Sequence, residues 1–205
     1  TCALPICDQF SVRLIGGDTT QSPHLTLSVT ALGWVDTGLA VPRSGAQIGD
    51  LICVSGTVGD AAFGLKHLGH DLQKRLDYPT PRCALGAALK GLANSMIDVS
   101  DGLAQDLGHI LKASNVGAKL QLENLPLSTA LHALNDEQKW QYALAGGDDY
   151  ELCFTISPQN YEKLLQKQLD DSISIIGTIQ QQRGLTFEKD GVDHLLQFNG
   201  YQHFA

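Results

Sequence analysis

The sequence predicts an α+β fold, in which a mixed β-sheet is layered with α-helices. Short apolar segments of strand length recur between stretches whose leucines are spaced as on one face of a helix. These segments do not alternate strictly, as they would in a doubly wound fold of βαβ units. The chain has 205 residues, of which 43% are hydrophobic and 18% charged, so it can bury a core of ordinary size.

The N-terminal part of the chain contains two predicted strands and a predicted boundary. Residues 12–15 lead into a pair of glycines, and residues 25–35 alternate apolar and polar side chains, as a strand with one buried face does. Residues 36–50 contain several glycines and a proline, which is typical of a connection between domains. We therefore place a domain boundary in this stretch.

Strands and helices are predicted throughout the remainder of the chain. The strands are predicted from short apolar runs, at residues 51–55, 96–99, 117–122, 151–156, 173–179 and 185–187. The helices are predicted from apolar residues at helical spacing, at residues 59–76, 82–93, 103–111, 126–145 and 158–169, with one or two helices in the fourth range. Ser157 and Pro158 are residue types that favour a helix start.

Composition and charge argue against several classes of function. A net charge of −8 does not suit a duplex nucleic-acid surface, which needs clustered Lys and Arg. No apolar run approaches the roughly 20 residues of a membrane span, and the opening segment lacks the pattern of a signal peptide. The five cysteines include no C-x-x-C pair, and Cys53 and Cys153 lie in apolar runs that predict buried thiols. A reducing, cytoplasmic location is the simplest interpretation.

The first cluster that could carry chemistry is Gly-Gly-Asp-Thr-Thr at residues 16–20 (the GGDTT cluster). The glycines allow a ligand to approach the backbone closely, and Asp18 with the two hydroxyls could bind magnesium, which in turn binds phosphate oxygens. The alternative is a glycine turn in which Asp18 accepts a hydrogen bond from its own backbone. Taken alone, the cluster favours the turn.

The second cluster is Ile-Asp-Val-Ser-Asp-Gly-Leu at residues 97–103 (the IDVSDGL cluster), where a strand leads into a helix. Side chains alternate along an extended segment, so Asp98 and Ser100 should share one face. Ser100 or Asp101 would lie at a helix N-terminus, where N–H groups favour an anion, and helix capping explains both residues without a further function. Capping does not explain Asp98, so capping and metal binding both stay open.

The third cluster is Gly-Gly-Asp-Asp-Tyr-Glu-Leu at residues 146–152 (the GGDDYEL cluster), between a helix and a strand. Gly146 is a natural residue to follow the end of a helix. The three acids Asp148, Asp149 and Glu151 could recognise a cationic group of a substrate or hold a metal. For Glu151 alone, the simpler expectation is that it points to solvent at the start of the strand.

Outside these clusters the candidates are weaker. Arg43 lies in the glycine-rich connection and could bind a phosphate through two hydrogen bonds, although a single loop arginine is more often a surface residue. His109 is predicted to be solvated on a helix. The sequence contains no Walker A motif, no G-x-G-x-x-G motif, and no Ser-His-Asp or zinc-binding pattern. Any ATP must therefore be held by another type of site.

Taken together and in this order, the motifs resemble the thiamine-monophosphate kinase family. The resemblance covers nearly the whole chain and is carried by LIGGDTT, PRSGAQIGDLICVSGTVGDAAFGL, PRCALGAAL, MIDVSDGLAQDLGHILKASNVGAKLQLENLPLS, LAGGDDYELCFTI and GYQHF. The wider superfamily includes aminoimidazole ribonucleotide synthetase, selenophosphate synthetase and a hydrogenase maturation factor. Within it, the pairing of SDGL with GG(D/E)DYEL points to the thiamine enzyme.

The resemblance implies transfer of the γ-phosphoryl group of ATP to thiamine monophosphate, with Mg²⁺ as cofactor. It assigns ATP binding to Gly17, Asp18, Arg43 and Ser100, magnesium binding to Asp18, Asp98 and Asp101, and substrate binding to Asp148 and Phe198. Asp148 stands where the family usually has Glu, and Phe198 where many members have a Trp that stacks on thiamine. Asp is a shorter carboxylate than Glu, and cation–π attraction is weaker for Phe than for Trp. Both differences should change substrate affinity rather than the reaction class.

The acceptor phosphate is already a nucleophile, so we expect positioning and charge neutralisation, and no general base. The resemblance also implies that residues 1–37 are the end of an N-terminal ATP-binding and dimerisation domain, and that residues 38–205 are the C-terminal α+β domain. The full-length protein would then be a cytoplasmic homodimer, and this fragment alone would be inactive. Two alternatives stay open: a superfamily kinase or synthetase with another phosphate acceptor, and a non-catalytic nucleotide-binding domain.

Overall fold

The computed structural model describes residues 3–169 and 172–196, and contacts divide the chain into two units, residues 1–37 and 38–205. The described part of the first unit contains one helix, α1 (Ala3–Gln9). The strands predicted at residues 12–15 and 25–35 are wrong for this structure. A strand needs a backbone partner, and no described segment pairs with either stretch. The assignment of residues 1–37 to an ATP-binding domain stays a prediction.

The second unit is built on a seven-stranded sheet with the order β2-β4-β1-β5-β3-β6-β7. Its strands are β1 (Leu51–Ser55), β2 (Ala93–Val99), β3 (Gly117–Gln121), β4 (Glu151–Ile156), β5 (Ile173–Gln180), β6 (Gly184–Lys189) and β7 (Val192–His194). Neighbouring strands are antiparallel except β3 and β6, which are parallel. The mixed sheet predicted from the sequence is confirmed, and only the short strand β7 was missed.

Helices accompany the sheet as predicted, with several differences in their bounds; for example, the helix predicted for residues 158–169 ends at Leu165. They are α2 (Asp60–Lys66), α3 (Gln73–Asp77), α4 (Cys83–Ala88), α5 (Leu103–Ser114), α6 (Thr129–His132), α7 (Asp136–Ala145) and α8 (Pro158–Leu165). The single helix predicted for residues 59–76 is broken into α2 and α3, with Gly69 at a φ of +87° between them. The helix predicted for residues 82–93 ends at Ala88, since Ala93 already belongs to β2.

Apolar side chains are buried on both faces of the sheet, so the unit is an α+β layer structure. Alternate residues of β1 divide between the two sides: Ile52 and Val54 belong to the larger buried cluster, and Cys53 to the smaller one. Leu103 and Leu107 of α5 pack into the larger cluster. None of the helices in the described residues is long and apolar enough to span a membrane.

Candidate active site

Two of the three sequence clusters meet at one end of the sheet. β2 pairs antiparallel with β4, with Val99 opposite Glu151, so the segment that leaves β2 lies beside the segment that enters β4. The Asp148 N–H donates to the Ser100 carbonyl at 3.0 Å, and the Tyr150 N–H donates to the Val99 carbonyl at 2.8 Å. The IDVSDGL and GGDDYEL clusters therefore form one surface, although residues 104–145 separate them in the sequence.

The loop between β2 and α5 is organised by Asp106. Its Oδ2 accepts hydrogen bonds from the N–H groups of Ser100, Asp101 and Gly102 at 2.9, 3.0 and 3.2 Å. The Asp106 side chain is buried, and burial is the main reason why its pKa is raised, against the opposing effect of the N–H donors. Sequence reasoning missed Asp106, because nothing in the pattern separates it from an ordinary polar helix residue.

This arrangement contradicts the capping interpretation of the IDVSDGL cluster. Neither Ser100 nor Asp101 caps α5 with its side chain. The N–H groups that were expected to attract an external anion already donate to Asp106, a carboxylate of the chain itself. The side chains of Ser100 and Asp101 instead line a pocket.

The three acids of the GGDDYEL cluster have two kinds of environment. Asp148 lines the pocket together with Tyr150, whereas Asp149 and Glu151 are 1% and 0% exposed. The expectation that Glu151 points to solvent is therefore wrong. Residues 148 and 150 line the pocket, whereas residues 149 and 151 are buried. Only Asp148 of the three acids is available to a ligand in the pocket.

Glu151 is buried because two arginines and a hydroxyl satisfy its carboxylate. Its Oε1 accepts from Arg75 Nη2 at 2.6 Å and from Arg82 Nη2 at 2.7 Å. Its Oε2 accepts from Arg82 Nε at 2.7 Å and from Ser55 Oγ at 2.5 Å. A buried carboxylate is tolerated when its oxygens are paired in this way. The sequence analysis did not single out either arginine.

Asp149 is buried against the start of α2. Its Oδ2 accepts the Gly59 N–H at 2.6 Å, and its Oδ1 accepts the Ala61 N–H at 3.2 Å. Burial raises the pKa of Asp149 from 3.8 to about 7, although these two N–H groups and the charge of Arg75 act in the opposite direction. Asp149 therefore joins the pocket segment to α2 and is not itself a pocket residue.

The glycines of the GGDDYEL cluster are required by close contacts. A Cβ on Gly147 would lie 2.4 Å from the Ser100 carbonyl oxygen, and a Cβ on Gly146 would lie 2.2 Å from the Tyr142 carbonyl oxygen. Gly146 follows α7 as expected, but with a φ of −73° rather than the left-handed conformation of a glycine helix end. Glycine is needed here because a side chain would collide with the Tyr142 carbonyl, not because of its backbone freedom.

The pocket has a volume of about 1050 Å³ and is bounded by α2, α7 and the two clusters. Lys66 of α2 lines it and lies 5.8 Å from the centre of the Tyr142 ring. Ser100, Asp101 and Asp148 also line it. The pocket lining thus includes aromatic, cationic, carboxylate and hydroxyl groups.

Asp98 contributes negative charge to the same region. It is exposed on β2, which is the edge strand of the sheet. The pKa of Tyr150 is raised first by burial and then by the charge of Asp148, with smaller effects from Asp98 and Asp101. Three carboxylates therefore act on one phenol. In the described part of the chain, no group of three or more His, Cys, Asp or Glu side chains is placed to hold a metal by itself.

Among the described residues of the second unit, Arg43 and His109 do not line the pocket. Arg43 is exposed, and the carbonyl of its neighbour Pro42 accepts the Met96 N–H at 3.0 Å, which places Arg43 beside β2. Gly17 and Asp18 belong to the first unit, where Asp18 Oδ1 accepts the Thr19 N–H at 2.7 Å. His109 is exposed on α5, and Phe198 lies outside the described residues. The site roles of Gly17, Asp18, Arg43 and Phe198 stay predictions.

Comparison with known proteins agrees with the resemblance that the motifs predict. The C-terminal domain of AIR synthase related proteins matches residues 47–190. Thiamine-monophosphate kinase of Escherichia coli (strain K12) is 44% identical over 98% of this chain and 66% of its own length. The chain therefore spans just under two thirds of that curated relative.

Solved structures with the same fold support this relationship. Thiamine-monophosphate kinase from Stenotrophomonas maltophilia K279a aligns with a TM-score of 0.70 and 42% identity, over 77% of this chain and 55% of that chain. AaThiL complexed with AMPPCP and TMP aligns with a TM-score of 0.65 and 32% identity, over 80% of this chain and 54% of that chain. Together with the match over residues 47–190, these likenesses show that the chain belongs to the AIR synthase related proteins, whose C-terminal domain it carries.

Proposed function

We propose that this chain contributes the C-terminal domain of a thiamine-monophosphate kinase, which transfers the γ-phosphoryl group of ATP to thiamine monophosphate and releases ADP. The observation that carries the proposal is the meeting of the IDVSDGL and GGDDYEL clusters at one pocket. The Escherichia coli relative has this name, and AaThiL has been solved with AMPPCP and TMP. Phosphoryl transfer requires a nucleotide and an acceptor side by side, and two adjacent clusters suit that requirement.

The acceptor is assigned to the GGDDYEL side of the pocket. Asp148 would lie near the cationic thiazolium ring of thiamine monophosphate, with Phe198 as a second contact. The Tyr150 hydroxyl donates to Asp148 Oδ1 at 3.2 Å and so restricts the orientation of that carboxylate. Since the pKa of Tyr150 is raised, the phenol stays a neutral donor at physiological pH.

The nucleotide is assigned to the IDVSDGL side. Ser100 lines the pocket and offers a hydroxyl, and Arg43 is exposed beside the same edge strand. A guanidinium group can bind a phosphate through two parallel hydrogen bonds. The family resemblance also assigns Gly17 and Asp18, in the first unit, to ATP binding.

Magnesium is the metal that the resemblance implies, and the donor types on this chain fit it as a partial set. Asp98 and Asp101 supply carboxylate oxygens, and Mg²⁺ commonly takes one or two carboxylates together with waters and substrate phosphates. A complete cluster of protein ligands is therefore not required. We assign Asp18, Asp98 and Asp101 as the residues that would hold it. When bound, Mg²⁺ would neutralise phosphate charge.

The residues of this chain would position the reactants and would not exchange protons with them. A phosphate oxygen of the acceptor is already a nucleophile, so the transfer needs no general base. Tyr150 is unsuited to that role because its pKa is raised, and Asp106 is occupied by three backbone N–H groups. Rate enhancement would come from orientation and from electrostatics.

The test uses this chain and a chimera in which residues 1–205 replace the matching part of the Escherichia coli relative. Thiamine diphosphate formation from Mg-ATP and thiamine monophosphate is measured for both proteins. We expect activity in the chimera and little or none in the chain alone. Asp98→Asn and Asp101→Asn should each lower kcat at least about 100-fold, and Asp148→Asn should mainly raise the KM for thiamine monophosphate. Asp71→Asn is the control, because that side chain is 97% exposed.

Other results would separate the alternatives. Release of ADP with a different phosphate acceptor, and none with thiamine monophosphate, would show that the acceptor is wrong. Calorimetric binding of AMPPCP without any phosphoryl transfer by the chimera would favour a non-catalytic nucleotide-binding domain. Full activity in the Asp98→Asn variant would remove the metal assignment.

The cellular setting is part of the same proposal: a homodimer in the cytoplasm. Among the described residues, Cys7, Cys53, Cys83 and Cys153 are free thiols, as expected in a reducing compartment. Light scattering of the chimera should give the mass of a dimer. A monomer with full kinase activity would refute the dimer as a functional requirement.

A further inference from the structure

We propose that Arg75, Arg82 and Glu151 are positioning residues that hold the Asp148–Tyr150 segment in place within the pocket. The effect of these three residues on the reaction rests on the proposed function, whereas their effect on the position of the segment rests on geometry alone. The three side chains form the buried ion cluster described above, and the segment begins immediately beside it. Arg75, Arg82 and Glu151 are not among the described residues that line the pocket.

The segment that they hold has an unfavourable backbone conformation. Asp148 has a φ of 65° and Tyr150 a φ of 51°, in the left-handed region that residues other than glycine rarely adopt. Such conformations persist where the surrounding structure fixes them, and they concentrate at functional sites. Two backbone hydrogen bonds, to the carbonyls of Ser100 and Val99, attach the segment to the neighbouring loop. The Asp149 side chain attaches it to the start of α2, and Glu151 pairs with Val99 in the sheet.

The Glu151 side chain adds an anchor on the β4 side, because Glu151 is the first residue of β4 and follows Tyr150 directly. Its two carboxylate oxygens accept four hydrogen bonds, from Arg75, Arg82 and Ser55. The backbone of Gly56 leaves room for the carboxylate: a Cβ there would lie 2.2 Å from Glu151 Oε1. The carboxylate is therefore fixed from several directions, and the residue that joins the strained segment to the sheet cannot turn.

The arginines come from parts of the chain that have no contact of their own with the pocket. Arg75 belongs to α3, a short helix with no buried residues, and Arg82 immediately precedes α4. Arg75 Nη2 also lies 3.5 Å from the Asp149 carbonyl oxygen, so it reaches the strained segment directly. Arg82 acts on the segment through Glu151, and Arg75 acts through Glu151 and through the Asp149 carbonyl. Neither arginine is among the described residues that line the pocket, which distinguishes a positioning role from substrate contact.

Amide hydrogen exchange on this chain tests the inference without any substrate. In Glu151→Gln, which keeps the shape of the side chain and removes its charge, the Asp148 and Tyr150 amides should exchange at least about tenfold faster relative to the Ile179 amide. The Ile179 N–H donates to the Asp50 carbonyl at 2.9 Å, near the other end of β1. Arg82→Lys should give a smaller change in the same direction, because Lys keeps the charge and loses the two-pronged geometry.

Asp50→Asn is the matched control, since Asp50 is a buried carboxylate that accepts two hydrogen bonds from Asn94 Nδ2. Because the Ile179 N–H donates to Asp50 itself, the reference for this control is the Val116 amide, which donates to the Leu111 carbonyl at 3.1 Å. The ratio of the Asp148 and Tyr150 rates to the Val116 rate should stay unchanged. An unchanged ratio in Glu151→Gln would overturn the inference. If that variant does not fold, Arg82→Lys and Arg75→Lys decide by the same ratio.

A kinetic measurement separates this inference from the proposed function. In the chimera, Arg82→Lys should raise the KM for thiamine monophosphate about tenfold and leave the KM for ATP unchanged. A purely stabilising role would lower the amount of active enzyme and move neither KM. An active chimera with an unchanged KM would overturn the inference, whereas a chimera without any activity would refute the proposed function and leave the exchange ratio as the test of positioning.

Discussion

Asp149 should make the stability of this fold depend on pH in the direction opposite to that of most carboxylates. Its side chain is 1% exposed, and its pKa is raised from 3.8 to about 7. Burial is the largest cause and outweighs the hydrogen bonds from the Gly59 and Ala61 N–H groups and the charge of Arg75. The folded state therefore holds a proton that the unfolded chain releases.

The sign and size of the effect follow from linkage. Between pH 3.8 and about 7 the folded state binds more protons than the unfolded state at this residue, so the free energy of unfolding falls as pH rises. The slope approaches 1.4 kcal/mol per pH unit, which amounts to about 4 kcal/mol across the window given by the two pKa values. This contribution is fully present below the unfolded pKa and is lost above the folded one.

Urea unfolding followed by circular dichroism from pH 4 to pH 8 measures the effect when the chain is compared with its Asp149→Asn variant. Other carboxylates titrate in both proteins and cancel in the difference. Asn cannot ionise, so the stability of the variant relative to the parent should rise by about 4 kcal/mol between pH 4 and pH 7.5. The matched control, Asp71→Asn, changes a side chain that is 97% exposed and should give a flat difference.

Two results would contradict this reasoning. A difference that stays constant with pH would show that Asp149 does not change protonation on folding in this range. A difference that falls as pH rises would show that the N–H groups at the start of α2 and Arg75 outweigh burial, and that the pKa lies below 3.8.

Two further predictions concern the loops that form the pocket. Gly147→Ala should destabilise the fold by about 2 kcal/mol or more, because its Cβ would lie 2.4 Å from the Ser100 carbonyl oxygen. The control is Gly108→Ala in α5, where a Cβ meets nothing within 4 Å and where Ala should stabilise the helix by about 1 kcal/mol. Equal effects of the two substitutions on urea unfolding would refute the contact argument. Asp106→Ala removes the acceptor of three N–H groups and should cost about 3 kcal/mol in the same assay; a loss below about 0.5 kcal/mol would mean that water replaces the carboxylate.

The fold could be predicted where local patterns decide it. The strands at residues 51–55 and 151–156 are formed as predicted, because short apolar runs bounded by glycine and polar residues have few alternatives. The prediction of one helix for residues 59–76 was wrong because the leucine spacing continues across Gly69, whose left-handed φ interrupts the helix. The strands expected at residues 12–15 and 25–35 depend on pairing with another segment, which a local pattern cannot provide.

The site could be predicted only in part, because the deciding contacts are distant in sequence. The motifs located Ser100, Asp101 and Asp148, which do line one pocket. They did not separate Asp148 from Glu151, since the burial of Glu151 depends on Arg75 and Arg82, 76 and 69 residues away. Asp106 is only a few residues from the loop that it organises, yet its role depends on the path of that loop and not on residue type.

The charge of the pocket limits which ligands can enter it. Asp101, Glu137 and Asp148 line it, and Lys66 is the one cationic side chain among the described lining residues. The charge of a phosphate group has the same sign as these carboxylates, and like charges repel most strongly in a partly desolvated site. A phosphate group that arrives alone is therefore disfavoured in this pocket. It must arrive with a divalent cation or on a molecule that carries its own positive charge. Mg-ATP meets the first condition and thiamine monophosphate, through its thiazolium ring, the second, so the proposed substrates are the kind that an acidic pocket can accept.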